Sequence, residues 1–212
     1  MAEVKHFETD IVIIGSGGAA MAAGIEARDA GASAIAFEKA AELGGASIIS
    51  GGGCSIAGTP LQKKNGIEDS PDLAFSDWIK WGGPSVDQVW ARYYIEHSLH
   101  DLYFWAEGLG VKWIDMKQQE GNSVPRWSRP ENNGLGLMTH LIDGFRGRGG
   151  EIVPNTEITR IKLDNDRVTG VEGINSETGD KVVVTSKAVV VSTGGFTSNL
   201  DVVLEATPDL NN

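Results

Sequence analysis

Cysteine is almost missing from this chain: Cys54 is the single one in 212 residues. One thiol forms no intrachain disulfide and completes no closed multi-thiolate metal centre within one chain. Its place in a glycine-rich loop marks it as a small filler side chain rather than a nucleophile or a point of covalent attachment. Positive charge is scarce as well. Eighteen Lys and Arg stand against 29 Asp and Glu, a formal charge of −11 at pH 7. No basic cluster interrupts that balance to track a phosphate backbone, which excludes nucleic acid as a partner. Long apolar runs are absent too. The first, residues 11–14, is far short of a bilayer span, and the residues before it lack the charged-then-apolar layout of a secretory leader. The expectation is a cytoplasmic protein with no membrane segment. No internal repeat, low-complexity tract or long linker is visible, and 41% apolar with 22% charged residues reads as one domain over residues 1–212.

What is present alternates between strand and helix patterns. Ile11, Val12, Ile13 and Ile14 are four consecutive β-branched residues, which predicts a buried parallel strand over residues 10–14. A helix follows over residues 17–30. Its alanines (Ala19, Ala20, Ala22, Ala23, Ala27) combine high helix propensity with small size for close packing on a sheet, and Gly31 suits the left-handed position past its end. Residues 33–38 return as a second strand. Residues 42–58 are dense in glycine and have too little periodicity for a long element, so they read as a loop that something occupies. A long helix is predicted over residues 84–110, from Ile95, Leu99, Leu102, Ala106 and Leu109, and another over 134–146, with Met138, Leu141, Ile142 and Phe145 inward and Gly149-Gly150 closing it. Short strands follow at 152–153, 156–163, 167–174 and 181–185, a β-meander joined by Asn, Asp and Gly turns. Residues 188–191 then read as a second central parallel strand.

Gly15-Ser16-Gly17-Gly18-Ala19-Ala20 fits G-x-G-x-x-G/A directly after a strand and at the opening of a helix, the context that makes this motif specific. Gly15 permits the tight turn, Gly17 lets the backbone approach a diphosphate, and Ala20 is small enough for the helix to pack on the strand. The amides and positive dipole end of the helix start hold the diphosphate. Glu38 closes the second strand, where a carboxylate accepts hydrogen bonds from ribose hydroxyls and repels the 2′-phosphate of NADP. The fold class is therefore α/β: a Rossmann-like FAD/NAD(P)-binding domain with a central parallel sheet, helices and a β-meander. The motif alone leaves FAD and NAD open.

Residues 10–20, Phe37-Glu38-Lys39, Gly44-Gly45-Ala46-Ser47 with Ser50-Gly51-Gly52-Gly53, Gly149-Gly150-Glu151-Ile152, Val168-Thr169-Gly170-Val171 and residues 188–196 follow in an ordered series. Together this series resembles the flavoprotein family of fumarate reductases, succinate dehydrogenase flavoprotein subunits and 3-ketosteroid dehydrogenases. The resemblance implies FAD, with Gly15 to Ala20 on its diphosphate and Glu38 and Lys39 at the adenosine ribose. It implies Gly44, Gly45, Ala46 and Ser47 with Ser50, Gly51, Gly52 and Gly53 along the pyrophosphate, ribityl chain and isoalloxazine, where a flat ring near backbone needs small residues. It further implies backbone at Glu157 and Ile158 beside adenine, and Thr193, Gly194 and Gly195 near the cofactor. Relatives that hold FAD covalently carry a histidine just before the Gly-Gly pair; the region here has Gly45, Ala46 and Ser47, so FAD is expected to be non-covalent. Relatives also continue into a substrate-capping domain and a C-terminal return to the flavin domain. The resemblance therefore implies the N-terminal FAD-binding part of a longer architecture, its active site completed by a second chain or a missing segment.

The implied activity is that of a CH–CH dehydrogenase or reductase on a small-molecule substrate, with hydride transfer through flavin N5. Two alternatives stay open: a truncated or non-catalytic FAD/ADP-binding module without the substrate cap, and an NAD-binding dehydrogenase. The catalytic residues are not identified. His97 and His100 beside Asp101 have helical spacing for one metal, but a site needs three or four converging ligands, so no metal is expected. Tyr93, Tyr94 and Tyr103 could serve as acid or base, although aromatics at helical spacing are usually core. Arg126 and Arg129 could bind an anion; a surface loop stiffened by Pro125 and Pro130 is the favoured reading.

Overall fold

The computed structural model describes residues 2–197 and 199–207. In chain order the strands are β1 (Val4–Ile14), β2 (Ala34–Phe37), β3 (Cys54–Ser55), β4 (Trp113–Lys117), β5 (Trp127–Pro130), β6 (Glu151–Val153), β7 (Thr156–Asp164), β8 (Arg167–Asn175) and β9 (Lys181–Val191). The helices are α1 (Gly18–Asp29), α2 (Gly45–Ile49), α3 (Pro60–Lys64), α4 (Pro71–Gly82), α5 (Gln88–Ser98), α6 (Trp105–Gly108), α7 (Asn133–Gly147) and α8 (Leu200–Ala206). The chain divides into two compact units, residues 1–46 with 148–212, and residues 47–147.

The first unit is a six-stranded sheet of order β6-β2-β1-β9-β8-β7. β6, β2, β1 and β9 are parallel, and β8 and β7 are antiparallel. The parallel middle explains the unbroken β-branched run, since strands covered on both faces have no polar side to present. Val12, Ile35, Phe37, Val171, Val182 and Val184 form a buried cluster on this sheet. Each such side chain contributes roughly 1.5–3 kcal/mol relative to exposure. α1 buries Ala20, Met21, Gly24 and Ile25, and Gly31, at φ 84°, turns the chain past its end.

One expectation here needs correction. Residues 181–185 and 188–191 are a single eleven-residue strand, β9. Ser186 and Lys187 look like a break, yet Ser186 is buried and Lys187 pairs with Asp10 at 2.6 Å. The polar pair therefore continues the strand, which is antiparallel to β8 and parallel to β1.

The second unit combines the antiparallel sheet β3-β5-β4 with helices α3 to α7. Its α4 is not among the helices expected from the sequence, although its start is well marked. Ser70 accepts the Leu73 N–H at 3.2 Å, and Pro71 occupies the first turn with Asp72. The helix read over 84–110 begins at Gln88, because the Asp87 carboxylate caps the Trp90 N–H and Pro84 lies in a 3₁₀ turn, Gly83–Ser85. It also contains a π-helical stretch, Leu99–Phe104. There the buried face steps from Ser98 to Tyr103 and Ala106, leaving Leu99 and Leu102 half-buried, because a wider turn displaces the apolar stripe. The predicted inner face of α7 stands: Met138, Leu141, Ile142 and Phe145 are buried. Residues 42–58 hold the short α2 and β3 within the expected loop.

Candidate functional site

Three chain segments of the first unit meet around Gly15. The Gly15 N–H donates to the Phe37 carbonyl at 2.8 Å, and the Ser192 N–H donates to the Ile14 carbonyl at 3.0 Å. Gly15 has φ 108°, and a Cβ there would stand 2.5 Å from the Ser192 carbonyl oxygen, so only glycine fits this turn. Thr193, Gly194 and Gly195 follow directly and are exposed. Gly17 differs. Its φ of −71° and ψ of −177° are open to any residue, and it occupies the N-cap of α1, where Ser, Asp or Asn would stabilise the helix more. Gly17 offers no side chain to cap α1, and the first turn of the helix carries no acid. A twelve-residue helix with its positive end left in that state is suited to an anion brought from outside the chain.

Beside this turn, Glu38 is 8% exposed. Its Oε2 accepts the Ser16 hydroxyl at 2.6 Å and its Oε1 accepts the Ala40 N–H at 3.0 Å. Ser16, fully buried, also accepts the Gly44 N–H at 2.9 Å. The Thr156 N–H donates to the Glu38 carbonyl at 2.8 Å, which brings the start of β7, with Glu157 exposed and Ile158 half-buried, next to the same strand end. Lys39, Gly45 and Ala46 are exposed. The sequence-predicted residues Gly15 to Ala20, Glu38 to Lys39, Gly44 to Ala46, Glu157 to Ile158 and Thr193 to Gly195 thus lie in one unit, and the first four of these stretches are linked by direct hydrogen bonds or chain adjacency.

Ser47, Ser50, Gly51, Gly52 and Gly53 fall in the second unit. The Ser50 hydroxyl donates to the Ser47 carbonyl at 2.7 Å and accepts the Gly52 N–H at 3.0 Å, while the Gly134 N–H donates to the Ser50 carbonyl at 3.0 Å. Gly52, at φ 65°, would set a Cβ 2.6 Å from the Asn133 backbone, so this loop is pressed against the start of α7.

Other candidate groups are engaged within the chain. Tyr103 is buried and stacks on Trp113 with ring centroids 5.2 Å apart, and burial pushes its hydroxyl up to about 12. Tyr94 donates to the Ser55 carbonyl at 3.2 Å and is likewise pushed up to about 12 by burial. Tyr103 is a core residue, and Tyr94 packs half-buried against the local core. Exposed Tyr93 stacks on His97, and His97 Nδ1 lies 2.8 Å from the Tyr93 carbonyl. Burial raises the Cys54 thiol to about 11, which keeps it out of the thiolate form. Among the described residues no three His, Cys, Asp or Glu side chains converge as a metal site would need.

The reading of Arg126 and Arg129 as part of a surface loop is corrected. Both belong to or border β5, and Arg126 is 3% exposed. Its Nε and Nη2 form a two-point pair with Asp69 at 2.8 Å each, and its Nη1 reaches Asp77 at 3.0 Å and Asn122 at 2.7 Å. Burial alone would lower the Arg126 pKa; the two carboxylates more than reverse this and raise it. Burial alone would raise the Asp77 pKa, and hydrogen bonds from Ser123 and Arg126 lower it on balance. Gln62, fully buried, donates to Asp69 at 2.8 Å and to the Pro125 carbonyl at 2.9 Å. This ionic cluster borders a cavity of about 240 Å³ walled by Ala57, Ala74, Trp78, Trp81 and Ile95. Arg129 pairs with Asp115 at 3.2 Å.

A glycine turn between two parallel strands, an uncapped helix and an acid closing the next strand define a dinucleotide-binding α/β protein. Within that class the chain belongs to the FAD binding domain family, whose pattern matches residues 10–211. It is 33% identical over 205 residues to the NADH:fumarate oxidoreductase of Klebsiella pneumoniae (strain 342), covering 95% of this chain and 22% of that protein. The open conformation of a flavocytochrome c3 fumarate reductase superposes with a TM-score of 0.90 at 28% identity, over 97% of this chain and 37% of that one. The 3-ketosteroid-Δ4-(5α)-dehydrogenase of Rhodococcus jostii RHA1 superposes with a TM-score of 0.86 at 27% identity, over 94% of this chain and 48% of that one. The chain therefore spans between about a fifth and a half of the length of these relatives. FAD is the cofactor of this family, and the turn, helix and acid described above fit it. Among the described residues no helix is long and apolar enough to cross a membrane.

Proposed function

We propose that this chain is the FAD-binding part of an oxidoreductase of the CH–CH dehydrogenase/reductase class, acting on a small-molecule substrate. The observation that carries the reading is the Gly15 turn leading into α1, whose N-cap Gly17 has no side chain and whose first turn has no acid, with buried Glu38 at the end of the adjacent strand. In this reading the backbone from Gly15 to Ala20 holds the diphosphate, and Glu38 accepts the ribose hydroxyls. The Glu157–Ile158 backbone contacts adenine. Gly44, Gly45 and Ala46, in the same unit, run beside the pyrophosphate and ribityl chain, and Thr193, Gly194 and Gly195 approach the cofactor past the end of β9. Bound FAD supplies hydride transfer at N5, and the protein supplies placement, exclusion of water and the matching proton. Binding is non-covalent, since Cys54 is held as a thiol and Gly45, Ala46 and Ser47 offer no attachment point.

The relatives support the class: one reduces fumarate and another dehydrogenates a ketosteroid, as their names state. Residues 1–212 are then one part of a longer functional architecture, and the reading extends to a cytoplasmic location and to a second chain or further segment completing the active site. That last point is favoured by Tyr94, Tyr103 and Arg126, which are committed to partners inside this chain. The same observation favours the second reading, a FAD- or ADP-binding module without turnover of its own.

The test is spectroscopic. The purified chain, reconstituted with FAD and freed of excess, should show flavin absorption, and Gly17→Val should abolish it while leaving the circular dichroism spectrum intact. Unchanged flavin content in Gly17→Val would defeat the site assignment. Bleaching of the bound flavin by a candidate CH–CH substrate separates the enzyme from the module.

A further inference from the structure

A serine hydroxyl has one proton and two acceptor positions. At Ser16 one acceptor position is taken by the Gly44 N–H at 2.9 Å, so the proton is directed to Glu38 Oε2 at 2.6 Å, the spacing of a charge-assisted bond. Glu38 Oε1 takes the Ala40 N–H at 3.0 Å. A carboxylate offers about four lone-pair sites; these two contacts leave two, enough for a pair of neighbouring hydroxyls. One fully buried hydroxyl thus joins the phosphate-side turn, the end of β2 and the Gly44 turn.

We propose that Ser16 is a positioning residue for the nucleotide: it fixes the Glu38 carboxylate toward the ribose hydroxyls of an adenosine diphosphate moiety and couples occupancy there to the order of the Gly44 turn. The proposal rests on the reading that Gly15 to Ala20 and Glu38 hold the adenosine half of FAD. Without the hydroxyl, the carboxylate loses the contact that sets its rotation, and the Gly44 N–H loses its acceptor in a buried position, where an unmet donor is costly. The segment whose order responds, Gly44 to Ala46, belongs to the same unit. Ser16 is therefore a link between recognition of a ribose and the conformation of a glycine turn distant in sequence.

The test uses the 212-residue chain, with ADP and 2′-deoxy-ADP as probes, in calorimetric titration and in hydrogen exchange at the Gly44 amide. Wild type is expected to prefer ADP about tenfold, the worth of a hydrogen bond to a charged group, and ADP is expected to slow exchange at Gly44. Ser16→Ala is expected to keep ADP binding but cut the preference to less than about threefold and abolish the slowing at Gly44. Glu38→Gln should remove the preference equally, and the double variant should lose no more than either alone. A Ser16→Ala chain with wild-type preference and wild-type slowing overturns the proposal. So does a wild-type chain that binds ADP without preferring it or without slowing Gly44, a result that needs no variant and leaves the diphosphate part of the site reading standing. Absence of ADP binding to wild type overturns the site reading itself, and this proposal with it.

Discussion

Glu38 and Arg126 are buried ionisable side chains, one in each compact unit, and the chain treats them in opposite ways. Arg126 is nearly filled: Asp69, Asp77 and Asn122 take four of the five N–H groups of its guanidinium. Glu38 receives one hydroxyl and one amide and keeps acceptor capacity in reserve. Burial by itself therefore says little about role. What separates a brace from a binding group is how many of its hydrogen-bonding positions the chain fills.

That contrast can be broken experimentally. Arg126→Met should cost about 3–5 kcal/mol, because it leaves the buried Asp69 and the partly buried Asp77 without their counter-ion; urea unfolding measures this, and flavin bound per folded molecule should stay constant. A small loss would show that the cluster is not a brace. Glu38→Gln should do the reverse, changing unfolding free energy by less than about 1 kcal/mol while weakening FAD binding by about tenfold. Equal damage to both quantities would erase the distinction. Ser70→Ala, removing the cap of α4 next to Asp69, should cost about 1 kcal/mol in the same unfolding assay and leave flavin affinity unchanged.

The smallest effect is a pH dependence confined to the first unit. Hydrogen bonds from the Glu3 N–H, Thr178 and Lys5 hold Asp180 at about 2, against an ordinary 3.8. A carboxyl lowered in the folded chain contributes stability above its unfolded pKa and loses it as pH falls through the folded value. The urea midpoint should therefore decline between pH 4 and pH 2, and Asp180→Asn should flatten that part of the decline. An identical acid limb in the variant would show that Asp180 does not anchor the strand start.

The nucleotide turn was legible because its signals are local: a β-branched run, glycines at fixed offsets and an acid at the next strand end. That Glu38 closes the second strand beside this turn could be read from spacing alone. Its tie to Ser16 could not, since a serine in the variable position of the motif carries no periodic mark. The Arg126 cluster was hidden for a different reason. Its carboxylate partners lie 57 and 49 positions away, and two flanking prolines suggested a loop where a strand forms. α4 did carry a readable start in Ser70-Pro71-Asp72, with Ala74 and Phe75 packed into the local core. The π-helical widening after Ser98 left no such mark, because the aromatics around Tyr103 satisfy either helical period.

β9 has one more consequence. Since a single strand runs from the outer hairpin to the edge of the nucleotide turn, the alignment of Val171 with Val184 also decides which atom stands opposite Gly15. A slip of one residue would invert the strand's faces and carry the Ser192 carbonyl out of place. Faulty zippering at the rim would thus be felt as a misshapen glycine turn, and the hairpin works as the ruler against which that turn is set.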